Sequence, residues 1–572
     1  MEKEIDIIIN GKNIKAFDGQ TVLEAAQKSG IKIPGLCYHP DLEAKASCRL
    51  CLVEVKNKKG LQPSCVTRLE PGMEIITDSE KIKRARKVNL ELIFAQHCEE
   101  CSDCVFKDKC RLLELAKEYN VKKSRFNDRK KNKPCFEFGP AVFFDSSKCI
   151  DCRNCIDVCQ NYEVGFLELA EDGNFTKIIP SKNPKKDCIF CGQCIVHCPV
   201  GAFEAGGEFE EVEEPLKDKS KVVVFQVAPS VRSSIGEEFG MEPGIVLTGQ
   251  IAAGIRKLGA NRVFDTAVGA DFTTFEEAQE LMEKIQKGKG ACLSSCCPSW
   301  VKFVEFFYPE FINCLATTRS PQMILAGLIK NYWAQKENID PKKIVMVSIM
   351  PCTSKKYEIK RKELDINGIP PIDYVLTTRE LAFLFKKYNI DLAKIEPEEY
   401  DNPWGLPSGA GVIYGATGGV AESALRTVFN KMTNQILPKI EFKELRDSKG
   451  IKKAEILIGS KKAKVAVVTG LVNARKILEE LKKNPKAYDA VEVMACPGGC
   501  VGGGGQPLPL NDNIRAARAK ALYNIDSKKE VRMAHENPIV KKVYQEFLTS
   551  SEVIHKICHT SYSPKKKEVK FK

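Results

Sequence analysis

Cysteine constrains this chain more than any helix or strand signal does. Its 572 residues contain 25 cysteines, and most fall into sets. Cys37, Cys48, Cys51 and Cys65 lie near the start, Cys101, Cys104 and Cys110 follow His97, and eight more form runs at 149–159 and 188–198. A last set occupies three short segments, holding Cys296 with Cys297, then Cys352, then Cys496 with Cys500. Disulfides in such number belong to small domains in oxidising compartments. Here the chain opens Met1-Glu2-Lys3-Glu4 without an apolar signal core. No apolar stretch approaches the roughly 20 residues that span a bilayer. The expectation is a cytoplasmic, reducing setting in which clustered thiols bind metal.

Spacing narrows the metal. Asn10-Gly11 is a hairpin turn signal, Thr21 and Glu24 form a capping box for a helix to about Ser29, and a cysteine loop follows. Strand, hairpin, helix and loop resemble a plant-type ferredoxin, which implies a 2Fe-2S cluster on Cys37, Cys48, Cys51 and Cys65. Taken alone, His97 with Cys101, Cys104 and Cys110 suits tetrahedral zinc equally well. Between electron-transfer modules it resembles the 4Fe-4S site with one histidine and three cysteines found in large hydrogenases and in the NADH dehydrogenase iron–sulfur subunit. The run Cys149, Cys152, Cys155, Cys159 recurs as Cys188, Cys191, Cys194, Cys198. In two-cluster bacterial ferredoxins the fourth cysteine of such a run ligates the other cluster. Cys149, Cys152 and Cys155 then hold one 4Fe-4S cluster with Cys198, and Cys188, Cys191 and Cys194 hold a second with Cys159. His197 is expected to be a packed side chain. Cys98, Cys135, Cys292, Cys314 and Cys558 carry no ligand spacing.

After the acidic stretch from Glu208 to Glu214 the pattern changes to short apolar runs at 222–227, 262–265, 344–349, 465–469 and 490–493, separated by helical segments. That alternation fits parallel strands covered on both faces, where chemistry collects beyond the carboxyl ends. Cys352 and Cys496 each stand three residues past such a run. The glycines from Gly498 to Gly505 let a bulky inorganic group approach the main chain closely.

Leu293-Ser294-Ser295-Cys296-Cys297-Pro298, Met350-Pro351-Cys352-Thr353-Ser354-Lys355 and Met494-Ala495-Cys496-Pro497-Gly498-Gly499-Cys500 resemble the signature blocks of the FeFe-hydrogenases. The resemblance implies an α/β catalytic domain, two parallel-sheet lobes enclosing the H-cluster, preceded by ferredoxin-like α+β iron–sulfur domains. The expected boundaries are a 2Fe-2S domain at 1–80, the histidine-ligated 4Fe-4S domain at 81–135 and a two-cluster domain at 136–209. A linker at 210–220, the H-cluster domain at 221–550 and a tail at 551–572 complete the chain. By resemblance, Cys297, Cys352 and Cys496 hold a 4Fe-4S cubane, and Cys500 bridges it to a diiron unit carrying CO, cyanide and an azadithiolate. The diiron pocket falls on Pro229, Ser230, Gln322, Met350, Lys355 and Met494. Tyr414 replaces a phenylalanine near it, and Ser294 replaces a threonine. The implied proton path runs from Cys296 to Glu277 and Glu280, ending near Lys284. Ala316 stands where the family has a relay serine, so water or the Thr317 hydroxyl must bridge.

The implied reaction is reversible reduction of protons to H₂, with ferredoxin as electron carrier. An H₂ sensor or a subunit of an electron-bifurcating complex is the alternative. Residues 81–135 carry 16 Lys/Arg against 8 Asp/Glu, while residues 1–80 carry 11 against 12. A basic face steers an acidic ferredoxin or flavodoxin. Maturation proteins for the diiron unit are the other partners, with neither nucleic acid nor membrane. Lys565-Lys566-Lys567 reads as a solubilising end.

Overall fold

The computed structural model describes residues 3–97, 104, 106, 109–121, 125–127, 133–172, 175–288, 290–435, 445–446 and 450–569. Cys98 and Cys101 lie outside the described residues. Glu4–Ile9 pairs antiparallel with Lys12–Phe17, and Asn10 and Gly11 both take positive φ (51° and 77°), as the tight hairpin turn requires. Ile5, Ile7 and Ile9 alternate inward on a sheet completed by Glu74–Ile76, Leu52–Val55 and Gln62–Pro63. Thr21 caps Val22–Lys28, and the Glu24 side chain returns to the Thr21 backbone. Arg86, from the helix Glu80–Phe94, fastens this sheet to the cysteine loop by donating to the carbonyls of Leu50, Leu52 and Thr77 at 2.8–3.0 Å.

The two later cysteine runs repeat each other in backbone as well as sequence. Asp151 and Arg153 (φ 59° and 64°) correspond to Phe190 and Gly192 (60° and 69°). Each pair leads into a short helix, Asn154–Asn161 in the first copy and Gln193–Val196 in the second.

Beyond residue 221, Arg262–Asp265, Val222–Val227, Ile344–Met350 and Tyr374–Thr377 form one parallel sheet in that order. A second sheet orders Cys292–Leu293, Ala490–Met494, Lys461–Thr469 and Ile451–Ile458. Its last strand is antiparallel, so this sheet is mixed where a parallel one is expected. The reason is local: only Gly459 and Ser460 separate the two strands, too short for anything but a hairpin. The 22-residue helix Thr266–Lys287, capped by Asp265, carries Glu276, Glu277, Glu280 and Lys284.

Two segments differ from expectation. Within 210–220, expected to be a linker, Phe209–Lys217 is a helix that buries Val212 and places Glu210 and Glu211 in its first turn, where the helix dipole favours them. Within 551–572, expected to be a tail, the described residues 551–569 are packed: Ser551–Cys558 is a helix, and an extended run follows it across the molecule. The Lys565 N–H donates to the Glu305 carbonyl at 3.0 Å, and those of Glu568 and Val569 reach the Asp187 carboxylate at 3.0 and 3.3 Å. Fully buried Lys302 lies 3.1 Å from Asp187 and also contacts Glu568. Lys302→Met strands the Asp187 charge, and removing one partner of a buried pair costs about 3–5 kcal/mol. The expected result is a lower denaturation midpoint by tryptophan fluorescence. An unchanged midpoint would show that Asp187 is compensated by its backbone donors alone.

Candidate active site

Strand ends deliver the thiols. Cys296 and Cys297 follow Cys292–Leu293, Cys352 follows Ile344–Met350, and Cys496 follows Ala490–Met494. Cys500 sits in the tight turn Gly499–Gly502. A Cβ on Gly499 would lie 2.8 Å from the Thr417 backbone nitrogen, so this approach admits only glycine. Cys296, Cys297, Cys352 and Cys500 line a cavity of about 80 Å³. Its walls include Pro229, Ser230, Gln322, Met350, Lys355, Tyr414 and Met494, so all seven sequence-predicted pocket residues come together. Cys496 lies just behind the wall, close enough for its thiol to feel the charges of Cys352, Cys297 and Cys500.

Burial pushes the Cys500 thiol up to about 12, and raises Cys296 and Cys496 well above the ordinary thiol range, with neighbouring thiols adding to the effect. Crowded, buried thiols ionise when a cation joins them, and soft sulfur donors select iron–sulfur chemistry or zinc. The walls fit a larger guest than a single ion. Ser230 Oγ and Gln322 Oε1 are buried there without a hydrogen-bond partner among the described residues. Lys355 Nζ donates to the Cys296 carbonyl at 3.0 Å and to Glu358 at 2.9 Å. Burial opposes its charge, but Glu358 outweighs burial and the Lys355 pKa is raised. The cavity thus keeps one ammonium ready for an anionic ligand. The Tyr414 phenol has the partner such a group needs: Thr274 Oγ1 donates to it at 3.0 Å. Ser294 accepts from the Val493 N–H at 3.1 Å, joining adjacent strands.

The cysteine sets at 37–65 and 149–198 also converge. Cys159, Cys188, Cys191 and Cys194 line one small cavity, and Cys155 faces Cys152, Cys149 and Cys198, which is the crossed pairing. The Cys48 N–H donates to Cys37 Sγ at 3.4 Å, and Cys51 Sγ lies 3.3 Å from Cys65 Sγ. His97 Nδ1 lies 2.7 Å from the Lys148 carbonyl, a contact of the kind that orients a metal-binding imidazole. Cys104 and Cys110 are half-buried, and Cys110 caps the helix Arg111–Glu118. His197 is packed, with Nδ1 2.8 Å from the Gln193 carbonyl.

Glu277 and Glu280 lie on the helix behind Cys296. Burial, with Glu280 and Glu492 adding, pushes Glu277 up to about 8, and its Oε2 has no partner among the described residues. Burial acts to raise Glu280 too, but hydrogen bonds from His559, Thr317 and Thr318 outweigh it and the pKa is lowered. Thr317 Oγ1 donates to Glu280 Oε1 at 2.8 Å, whereas Ala316 is fully buried and offers only a methyl. Lys284 turns away from this cluster: its ammonium donates to the carbonyls of Ala291 and Cys314 at 3.3 and 3.2 Å.

Sequence reasoning missed His559. Its Nε2 lies 3.0 Å from Glu276 Oε2 and its Nδ1 3.4 Å from Glu280 Oε1. Burial works against the imidazolium, yet the two carboxylates raise its pKa to about 9. Gln193 was missed as well, although a signal was present: the second cysteine run has Gly192-Gln193 where the first has Arg153-Asn154.

Family comparisons agree with this arrangement. Residues 221–504 match the family described as "Iron only hydrogenase large subunit, C-terminal domain", and 512–565 match "Iron hydrogenase small subunit". Upstream, 2–80 match a 2Fe-2S cluster binding domain, 86–125 the NADH-ubiquinone oxidoreductase-G iron-sulfur binding region, and 148–202 a 4Fe-4S dicluster domain. The NADP-reducing hydrogenase subunit HndD of Solidesulfovibrio fructosivorans is 39% identical, with 98% of each chain covered. Iron hydrogenase 1 of Clostridium pasteurianum is 38% identical over 97% of this chain and 99% of its own. A solved structure titled "Stepwise [FeFe]-hydrogenase H-cluster assembly revealed in the structure of HydA(deltaEFG)" is 38% identical with a TM-score of 0.57, covering 63% of this chain and 99% of that one. With relatives matching almost end to end, and its buried thiols gathered at the ends of parallel strands, this chain belongs to the FeFe-hydrogenase family.

Proposed function

We propose that the protein is a ferredoxin-linked hydrogenase interconverting protons and H₂. The convergence of four thiols and seven expected wall residues on one buried cavity carries this reading. Cys297, Cys352 and Cys496 would hold the cubane, and Cys500 would bridge to the diiron unit. When bound, that unit supplies the open metal site and the bridgehead base at which H₂ is split or formed. Pro229, Ser230, Gln322, Met350, Met494 and Tyr414 enclose it and exclude water, and Lys355 offers its ammonium to a cyanide. Cys296 passes protons to Glu277 and on to Glu280, with Thr317 at the outer carboxylate. One 2Fe-2S cluster and three accessory 4Fe-4S clusters form the electron wire. An infrared spectrum of the protein matured in cells tests the reading: bands of iron-bound CO and cyanide are expected, and their absence overturns it.

The carrier is a separate matter. The basic excess in residues 81–135 favours an acidic ferredoxin, while the full-length likeness to HndD favours an electron-transfer complex that reduces NADP. Electrostatic docking is screened by salt. Ferredoxin-linked turnover should therefore fall several-fold between low and high ionic strength while turnover with a small neutral dye stays level. Equal salt responses would remove the basic-face docking. The absence of any helix long and apolar enough to cross a membrane, among the described residues, is compatible with the proposed cytoplasmic location.

A further inference from the structure

The second cysteine run reaches a catalytic thiol through a residue that neither the wall nor the ligand set includes. Gln193 begins the helix Gln193–Val196 and is 2% exposed. Its side-chain Nε2 lies 3.3 Å from Cys496 Sγ and 3.4 Å from the Gly502 carbonyl oxygen. A carbonyl only accepts, so the amide NH₂ must face this pair, with one hydrogen for each acceptor.

The surroundings hold that geometry. Thr353 Oγ1, next to Cys352, donates to the Phe190 carbonyl at 2.9 Å. A Cβ on Gly192 would lie 2.5 Å from Thr353 Oγ1 and 2.9 Å from Gly504 Cα, so the two backbones meet with no side chain between them. The first copy of the run shows that left-handed backbone alone does not demand glycine, because Arg153 adopts it at φ 64°. Glycine at 192 therefore answers to space. Asn154, the counterpart of Gln193, donates instead to the His197 carbonyl at 3.3 Å, within its own module. The second copy instead reaches across to a catalytic thiol.

We infer that Gln193 is a positioning residue for the catalytic cubane, donating a hydrogen bond to the Cys496 sulfur that favours the reduced state and sets the potential at which electrons cross from the adjacent accessory cluster. This rests on the proposed role of Cys496 as a cubane ligand. Reduction adds negative charge to the ligand sulfurs, and a donor to sulfur stabilises the more negative state. Removing the donor lowers the potential. Gln193 is anchored on the same loop as Cys191 and Cys194, so the donor and the accessory-cluster ligands keep a fixed relation.

The test is a redox titration of the matured holoenzyme carrying Gln193→Met, which keeps the arm and loses the donor, and Gln193→Asn, which retracts the amide by one carbon. Infrared CO and cyanide bands report the cubane's state through the bridge, and EPR reports the accessory clusters. Both variants should show one-electron reduction of the cubane about tenfold less favourable, which is about 59 mV more negative, with accessory-cluster potentials unchanged. The same shift is expected by EPR in unmatured protein, which covers a variant that fails to load the diiron unit. An unshifted cubane in both variants, with the parent's bands intact, overturns the inference. A parent protein with no cubane EPR signal besides those of the accessory clusters overturns instead the ligand reading beneath it.

Discussion

Cys500→Ala is expected to abolish hydrogen evolution and the infrared bands of iron-bound CO and cyanide, while the iron–sulfur signals of the amino-terminal modules persist. Its thiol is the proposed bridge, held in place by the tight turn Gly499–Gly502. The accessory ligands lie on other segments, from Cys37 to Cys198, and the change from thiol to methyl is small. Elemental iron, EPR and turnover measured on one preparation separate the outcomes. Unchanged hydrogen evolution would remove Cys500 from the site.

The second large effect concerns proton supply. Cys296→Ala and Glu277→Gln should each lower turnover by several orders of magnitude with the CO and cyanide bands retained, because the cofactor's ligands are untouched and only acid–base groups are lost. Glu277, held up to about 8 by burial and by Glu280, is protonated at neutral pH and can give its proton outward. Glu280, held low against burial by His559, Thr317 and Thr318, is a carboxylate there and can receive it. As pH rises through about 8, Glu277 loses the proton it relays, so turnover limited by this step should decline above that point. Ala316→Ser should preserve or raise the rate. Full activity in both Cys296→Ala and Glu277→Gln would sink the path and leave Glu277 as a buried, neutral helix residue.

How legible the site was depended on how local its determinants are. The grouping of the cysteines could be read because their spacing is set within a few residues, and the placing of Cys159 and Cys198 beside the opposite runs followed from the duplication. Met350, Lys355 and Met494 were legible because they share segments with ligands. Gln193 and Cys496 stand 303 residues apart, and Glu276 and His559 stand 283 apart. No periodicity links such pairs, so only the folded chain reveals them. Arg153 against Gly192 was a visible departure between the two copies, but its meaning lay in Gly504, which the run itself does not contain. Lys565 and Lys567 were misread for the same reason. A run of like charges looks solvated until Glu363 and the carbonyl of Asn183, 3.3 and 3.0 Å from their ammonium groups, appear beside it.

The packing of residues 559–569 also bears on the timing of assembly. They leave the ribosome after every segment they fasten, including the helix that carries Lys302 and the loop that carries Asp187. During synthesis Asp187 lacks the two N–H donors of Glu568 and Val569, and the carboxylates of Glu276 and Glu280 lack His559. The junction between the two-cluster module and the catalytic domain is thus sealed from its far end. Iron–sulfur modules emerging first have an interval in which to acquire their clusters before the seam around them closes.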